Sequence, residues 1–559
     1  MQNRTLGIDL GTTYSCVAYL DKFGVPVVLK NSDGMNTTPS VVMIESKDNI
    51  VVGAEAKRAI PMEPEKTVSF IKRKIGREDD TEEVNGITYH ASEISSYILK
   101  KLVKDANDDL RQRGEIGDNE TITDVVITCP AYFGENERAA TKEAGVLAGL
   151  NVLEIINEPT AAAINYGVLS NSGPETVLVY DLGGGTFDIT IINIDANHNI
   201  EVICTGGDDM LGGKDWDEAL IQHIVERYQS EKGFDITEDP ECIASLYNDV
   251  EEWKKSLTQR EKTNVMVNSE NGRLRFELTR DEFEKITYHL ISRTKSLLDD
   301  LLKVSAEKGY PMSSINKILL VGGSSKMPQV ARMLKENYGV EAMLSDPDEA
   351  VAKGAAVWAA YRLKKDEFLD RVANERGVDR EDLEAEDILT NNLDEAFRKS
   401  PENQGMVIGN IAGSFSIKNV LSRTYGTAAY DENSVLRIYN MLMMNSQMPV
   451  REEMEFLTRE NNQTSIRIEI FESISPEESM NIEDGTKIGE FTLKLGRPVP
   501  IHTPLVIILS IDNSGILHLY AEEKNLTHAR VEGDIQLTHQ LNEQEMREAK
   551  NRTDMAKIN

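Results

Sequence analysis

Two segments of the 559-residue chain could hold a phosphate, and they do so with the same residue types in the same order. TLGIDLGTTYSCVAYL at 5–20 and TVLVYDLGGGTFDITIIN at 176–193 each carry an apolar strand, Asp-Leu-Gly, a turn of glycine and threonine, and a second apolar strand. Such a turn aims several backbone N–H groups in one direction and forms an anion-binding nest. Glycine at Gly11 and at Gly183, Gly184 and Gly185 lets the backbone approach phosphate oxygens that a Cβ would hold away. Asp9 and Asp181 stand at the ends of the first strands. Facing carboxylates there can hold a hydrated Mg²⁺ that bridges phosphates. A third element, KILLVGGSSKMPQVARMLKENYG at 317–339, reads as a buried strand, Gly322-Gly323, and a helix with Pro328 in its first turn, which can cradle a nucleoside. The chain has no GxxxxGK[ST] and no G-x-G-x-x-G opening a helix after a first strand. The hairpins must therefore hold the phosphates.

Positioning these turns requires a scaffold, and its outline is legible. Strand and helix signals alternate to about residue 362, which predicts an α/β domain. The repeated hairpin predicts two similar halves. Residues 364–404 are highly charged, with Phe368, Leu369 and Val372 at helical spacing, and read as one or two solvated helices. Beyond a glycine-containing stretch at 405–416, short alternating strands such as SIRIEIFES (465–473), KIGEFTLKL (487–495) and LVIILSID (505–512) predict an all-β module to about 540. Asn542 caps a final helix.

Composition sets the outer limits. The net charge is -33, with 40% hydrophobic and 28% charged residues. Such a surface repels nucleic acid, and an anionic ligand needs a metal and local N–H donors to bind. No apolar run approaches the ~20 residues that would span a bilayer, so no membrane association is expected. Cys16, Cys129, Cys204 and Cys242 form no CxxC or metal-ligand spacing and read as buried thiols in a reducing compartment. MQNRTLGIDL lacks signal-peptide organisation, and a cytoplasmic location is expected.

Eight segments in order resemble the seventy-kilodalton heat-shock chaperone family, the DnaK type: IDLGTTYS (8–15), FIKRKIG (70–76), ITCPAYFGENERAATKEAG (127–145), IINEPTAAAINYG (155–167), VYDLGGGTFDI (179–189), MLGGKDWD (210–217), VGGSSKMP (321–328) and DPDEAVAKGAA (346–356). The resemblance implies an α/β two-lobed, actin-like (duplicated, ribonuclease-H-like) ATPase over 1–363, with lobes at 1–170 plus 347–363 and at 171–346. A charged helical extension and linker at 364–410, a peptide-binding β-sandwich at 411–540 and the start of a truncated lid helix at 541–559 would follow. By the same resemblance, Gly11, Thr12, Thr13, Tyr14, Gly183, Gly184, Gly185 and Thr186 would bind ATP or ADP phosphates. Asp9, Asp181 and Asp188 would order Mg²⁺, its waters and a monovalent cation, K⁺. Lys72 would approach the γ-phosphate, and Glu158 and Asp181 would orient the attacking water. Gly213, Glu251, Lys254, Lys255, Thr258, Gly322, Gly323, Ser324, Lys326 and Asp348 would form the nucleoside site. Pro130 and Arg138 would relay between nucleotide and lobe surface. Without the resemblance, Lys72 reads as one of a surface run with Arg73 and Lys74.

NNQTSIRIEIFES (461–473) and IDNSGILHLYAEEK (511–524) carry a weaker likeness to the family's sandwich. It implies that Thr427, Phe456, Ile466 and Ile468 line a groove for unfolded or extended peptides, arched by Tyr430 and Arg459. The bland alternative is sandwich core. J-domain helpers and nucleotide-exchange factors are implied partners, with Glu201 and Val202 on the helper face. The sequence departs from the family at Trp253, at Lys326 in place of an adenine-stacking arginine, and at Glu154 in place of a basic docking residue. Its linker is only MVIG at 406–409, and Ser514 stands where an acidic partner is expected. These departures predict weak coupling, below about fivefold, between ATP and peptide. The function expected is an ATP-dependent chaperone. The rivals are a small-metabolite kinase of the same ATPase superfamily and a non-hydrolysing exchange-factor relative.

Overall fold

The computed structural model describes residues 4–77, 80–169, 174–196, 199–380, 383, 393, 396–397, 399–404, 407–408, 411–412, 417–512, 515–524, 529–534 and 541–559. The duplication read from the sequence is present as two sheets of the same design. In the first, the strands run Asn151–Asn157, Asp124–Cys129, Leu6–Asp9, Tyr14–Leu20, Pro26–Val28 across the sheet. In the second the order is Ala342–Leu344, Lys317–Val321, Glu175–Leu182, Phe187–Ile194, Ile200–Asp208, Ile417–Lys418. Each contains one of the repeated hairpins at its centre, paired in parallel to a buried neighbour (Ile8 with Ile127, Val179 with Leu319). The near-continuous apolar runs follow from burial on both faces.

The helix Ala350–Arg376 packs against the first sheet and against the helix Glu158–Leu169. It is unbroken across residue 363 and ends at Gly377, which takes φ 68° at the left-handed cap. Its last turns are not the solvated helix expected. Phe368, Leu369 and Val372 are buried in one cluster with Ala355, Val357, Leu383, Leu393 and Phe397. Phe397 meets Phe368 and Tyr361 at ring separations of 5.4 Å each, and Tyr361 stacks on Trp358 at 4.8 Å. The charges that suggested solvation lie on the other face, where Arg371 pairs with Glu402 and Glu375, and Arg380 with Asp366 and Asp370.

The C-terminal part is a two-layer sandwich. A five-stranded sheet has the order Ser479–Asn481, Leu436–Leu442, Thr424–Tyr430, Gln463–Ser473, Thr486–Val499. A four-stranded sheet runs Val450–Leu457, Pro504–Ile511, Leu517–Glu523, Arg530–Asp534. Alternating residues such as Ile468, Ile470, Leu505, Ile507, Leu509 and Leu519 fill the space between. The sandwich rests on the lobes. Ile417–Lys418 adds to the second lobe's edge strand (Ile200 with Ile417, Glu201 with Lys418). Asn445 accepts from Thr205 N–H at 2.8 Å, and Lys308 donates to the carbonyl of Ile203 at 2.6 Å and to that of Asn445.

Val407–Ile408, the described part of MVIG, pairs with Ile411–Ala412 instead of with a lobe. The less apolar Ile417–Lys418 docks, because adding a strand to an open edge is done by backbone. Ser514 lies outside the described residues. The final helix, Glu543–Met555, lies on the first lobe, where Arg552 grips Glu93 through two hydrogen bonds of 2.7 Å. Lys557–Ile558 then pairs beside Asn49–Val52.

Candidate nucleotide-binding cleft

The two glycine turns face each other. A Cβ placed on Gly184 would fall 1.9 Å from Thr13 Oγ1, so only glycine tolerates this approach of the second lobe to the first. The carbonyl of Thr186 accepts from Gly183 N–H at 3.0 Å, and Gly11 N–H donates to Ser15 Oγ at 3.1 Å. Thr12 and Thr186 are buried between the turns.

Behind them lies a charged group. Lys72 is buried, and its Nζ donates to Glu158 Oε1 at 2.5 Å. Asp181 and Asp188 are buried around this pair, and Asp9 beside them is partly buried. Burial, then the Glu158 charge, pushes the Asp9 carboxyl up to about 7 and that of Asp188 to about 8. The same two causes raise Asp181 well above the usual carboxylate range. Four carboxyl groups thus face one lysine. Asp188 Oδ2 is buried with no hydrogen-bond partner, while its Oδ1 accepts from Tyr132 N–H at 3.2 Å. An excess of buried carboxylates and an orphaned oxygen is a donor set that fits a hydrated divalent cation. Among the described residues no three acidic, His or Cys side chains converge closely enough to ligate a metal alone. Metal bound here would complete its shell with water and phosphate oxygens.

The residues expected to hold the nucleoside gather about the helix Pro240–Gln259. Lys254 donates to the Gly213 carbonyl at 2.8 Å and to Asp217 at 2.7 Å, and Thr258 donates to the Lys254 carbonyl at 3.1 Å. Gly322, Gly323 and Ser324 form the turn after Lys317–Val321, and Lys326 there pairs with Asp348. An ammonium held by a carboxylate replaces the planar face an arginine would offer. Trp253 packs against the second lobe's core.

Glu251 and Lys255 do more than line the site. Lys57 of the first lobe pairs with Glu251, and Tyr14 Oη accepts from Lys57 at 2.9 Å and Lys255 at 3.1 Å. Arg73 is a second tie, donating to the Gly185 carbonyl at 2.8 and 3.0 Å and to Asp215 at 2.5 Å. Sequence reasoning missed Lys57, Arg73 and Asp215. The repeat of the hairpin marks the turns but carries no signal for residues that tie one half to the other. Arg138 donates to Asn157 Oδ1 at 2.6 Å and to the Ile155 carbonyl at 3.1 Å, beside Glu158. Pro130 begins the segment whose Tyr132 N–H reaches Asp188.

In the sandwich, the predicted groove residues divide. Tyr430 is half exposed, and the Arg459 guanidinium lies over its ring at 3.7 Å. Phe456 stacks edge-on to Tyr439 at 6.1 Å, and Ile466 is partly buried. Thr427 and Ile468 are buried, with the Thr427 hydroxyl donating to the Glu469 carbonyl at 3.0 Å. Val202 is buried, and Glu201 accepts from Gln447 of the sandwich at 3.0 Å, so the sandwich occupies the expected helper face here. Glu154 is held by Arg362 at 3.8 Å, within its own lobe.

Comparison with known proteins matches this chain to the family described as "Hsp70 protein", over residues 5–369 and 392–558. The unmatched stretch, 370–391, falls inside the charged extension. Proteins named "Chaperone protein DnaK" from Thermotoga neapolitana and Thermotoga maritima are each 35% identical over 527 residues, which is 93% of this chain and 78% of theirs. That of Thermosipho melanesiensis is 35% identical over 526 residues, with the same coverage.

Proposed function

From the premise that the chain belongs to the Hsp70 family, we propose how its residues divide the work of the cycle. The protein is an ATPase and an ATP-dependent molecular chaperone, with ATP or ADP and Mg²⁺ in the cleft and unfolded polypeptide as its load. The observation that carries the assignment of roles is the buried Lys72–Glu158 pair set among Asp9, Asp181 and Asp188 between two glycine turns.

The turns at Gly11–Tyr14 and Gly183–Thr186 bind phosphates through backbone N–H groups. Mg²⁺, when bound, neutralises phosphate charge and fixes its geometry. Asp9, Asp181 and Asp188 order its water shell, and the same acids serve a K⁺ ion. Lys72 delivers a positive charge to the transferred phosphoryl group. Glu158 and Asp181 orient the attacking water. Catalysis here is position and electrostatics. Glu251, Lys254, Lys255, Thr258, Gly213, Gly322, Gly323, Ser324, Lys326 and Asp348 seat the nucleoside. Lys57 and Arg73 tie the lobes over it.

Peptide is held at the Tyr430–Arg459 arch, above Phe456 and Ile466. J-domain helpers reach Glu201 and Val202 when the sandwich leaves that edge, exchange factors act on the cleft, and the protein works in the cytoplasm. Phosphate release with and without an unfolded peptide tests the reading. Peptide should accelerate steady turnover, and binding of ATP with no release would refute it.

A further inference from the structure

Where the sandwich meets the first lobe, the contact is made by acids. The helix Glu135–Leu147 begins after Gly134, and its first N–H, that of Glu135, points at the sandwich. Glu472 of strand Gln463–Ser473 accepts from Glu135 N–H at 3.2 Å. A Cβ on Gly134 would lie 2.4 Å from the Glu472 carboxylate, so the glycine makes room for it. Tyr425 Oη donates to Glu135 Oε1 at 3.2 Å, and Glu137 accepts from Gly134 N–H at 3.1 Å. Glu137 and Glu472 are buried there, and Glu135 is partly buried beside them.

The charges facing them are few. Arg423 of the sandwich stands near Glu472 and Glu137, its guanidinium 4.5 Å from the Tyr132 ring centroid. Arg138 faces Glu135 from the same helix. Arg77 and Asp209 pair with each other at 2.5 Å and cancel. Asp208 is engaged by Arg293, and Asp512, after the strand Pro504–Ile511, faces His518 of the next strand at 3.6 Å. Among the described residues, three carboxylates against two guanidinium groups leave one negative charge in excess.

The path from here to the cleft is short. Arg423 lies on Tyr132, and Tyr132 N–H donates to Asp188. We infer that Glu472 is a positioning residue for the ATPase, and that seating it on the helix at Glu135 takes up one proton, so that docking of the sandwich is proton-linked. Burial first, then Glu137, raises the Glu472 carboxyl from its ordinary 4.5 to about 7, and burial likewise raises Glu135 to about 7. Because the docked state holds the proton more tightly, docking is strongest at low pH and is lost as pH rises through about 7. For one proton, the docking equilibrium should weaken about tenfold between about pH 6 and about pH 8. The inference rests on the reading of the chain as a nucleotide-driven pair of domains.

The test uses the full chain with ATP and dyes placed through unnatural amino acids at Phe23 and Val435, which are exposed on the first lobe and the sandwich. Energy transfer reports docking, and ATP turnover is followed across the same pH range. Wild type should lose docking about tenfold from about pH 6 to about pH 8, with an inflection in turnover near 7. Glu472→Gln keeps an acceptor for the Glu135 N–H but removes the surplus charge. It should dock equally at both pH values and lose the inflection, and Glu135→Gln should do the same. The inference is overturned if wild-type docking ignores pH, if both amide variants keep the wild-type slope, or if Glu472→Gln fails to dock at either pH. ATP retention in the same samples separates these results from a failure of nucleotide binding.

Discussion

Replacing Lys72 by alanine removes a buried cation from a group of acids. Lys72 is 5% exposed and sits 2.5 Å from Glu158, with Asp9, Asp181 and Asp188 around the pair. Two costs follow. Loss of one positioned charge from the transition state should slow hydrolysis by about 10² to 10³. Leaving Glu158 buried without its partner should also destabilise the nucleotide-free protein by up to about 3–5 kcal/mol, less whatever protonation of the carboxyl recovers. ATP should stay bound, because the turns and the nucleoside site hold it by other groups. Single-turnover hydrolysis with labelled ATP, nucleotide retention on a desalting column and urea denaturation give the three numbers separately. The double change Lys72→Met with Glu158→Gln should recover most of the stability and none of the turnover. Turnover of Lys72→Ala within about threefold of wild type would refute the role given to this lysine.

Gly184→Ala should weaken ATP binding by about tenfold or more, since its Cβ meets Thr13 Oγ1 at 1.9 Å, and calorimetric titration would show it. Brief trypsin treatment should leave an ATPase fragment ending near Arg376, where the helix stops at an exposed turn, with Lys364 and Lys365 spared. A fragment ending at 365 would mean that the buried Phe368 and Leu369 do not hold the last turns. Phe397→Ala should cost about 3–4 kcal/mol in urea denaturation, because the fully buried ring touches Phe368 and Tyr361. A change under about 1 kcal/mol would show that this aromatic cluster contributes little.

The cleft was legible because its turns recur and because glycine, threonine and aspartate at fixed spacing serve few other purposes. Lys72 was not legible alone. In the run Lys72-Arg73-Lys74 nothing distinguishes a lysine 5% exposed from its neighbours. A single 3-10 turn, entered from Phe70 at φ 59°, points Lys72 inward and sends Arg73 to the second lobe. The extension misled for a different reason. Phe368, Leu369 and Val372 need a partner, and Phe397 lies far along a charged stretch where no periodicity announces it. The docking contacts were invisible because they are made by backbone edges, by the amide of Asn445 and by carboxylates that, read one at a time, belong on a surface. The weak coupling expected from Glu154, MVIG and Ser514 considered only those contacts, and the sandwich also meets the lobes through Ile417–Lys418, Asn445 and Glu472.

The central claim is that nucleotide in the cleft controls the hold of the sandwich on peptide. Anisotropy of a labelled hydrophobic peptide, titrated against the full chain with and without saturating Mg-ATP, tests it most directly. A docked interface with a coupling energy of ~1–3 kcal/mol predicts that ATP weakens peptide binding by about fivefold or more, and by reciprocity that peptide weakens ATP binding by the same factor. A shift under about twofold in both titrations would contradict the account.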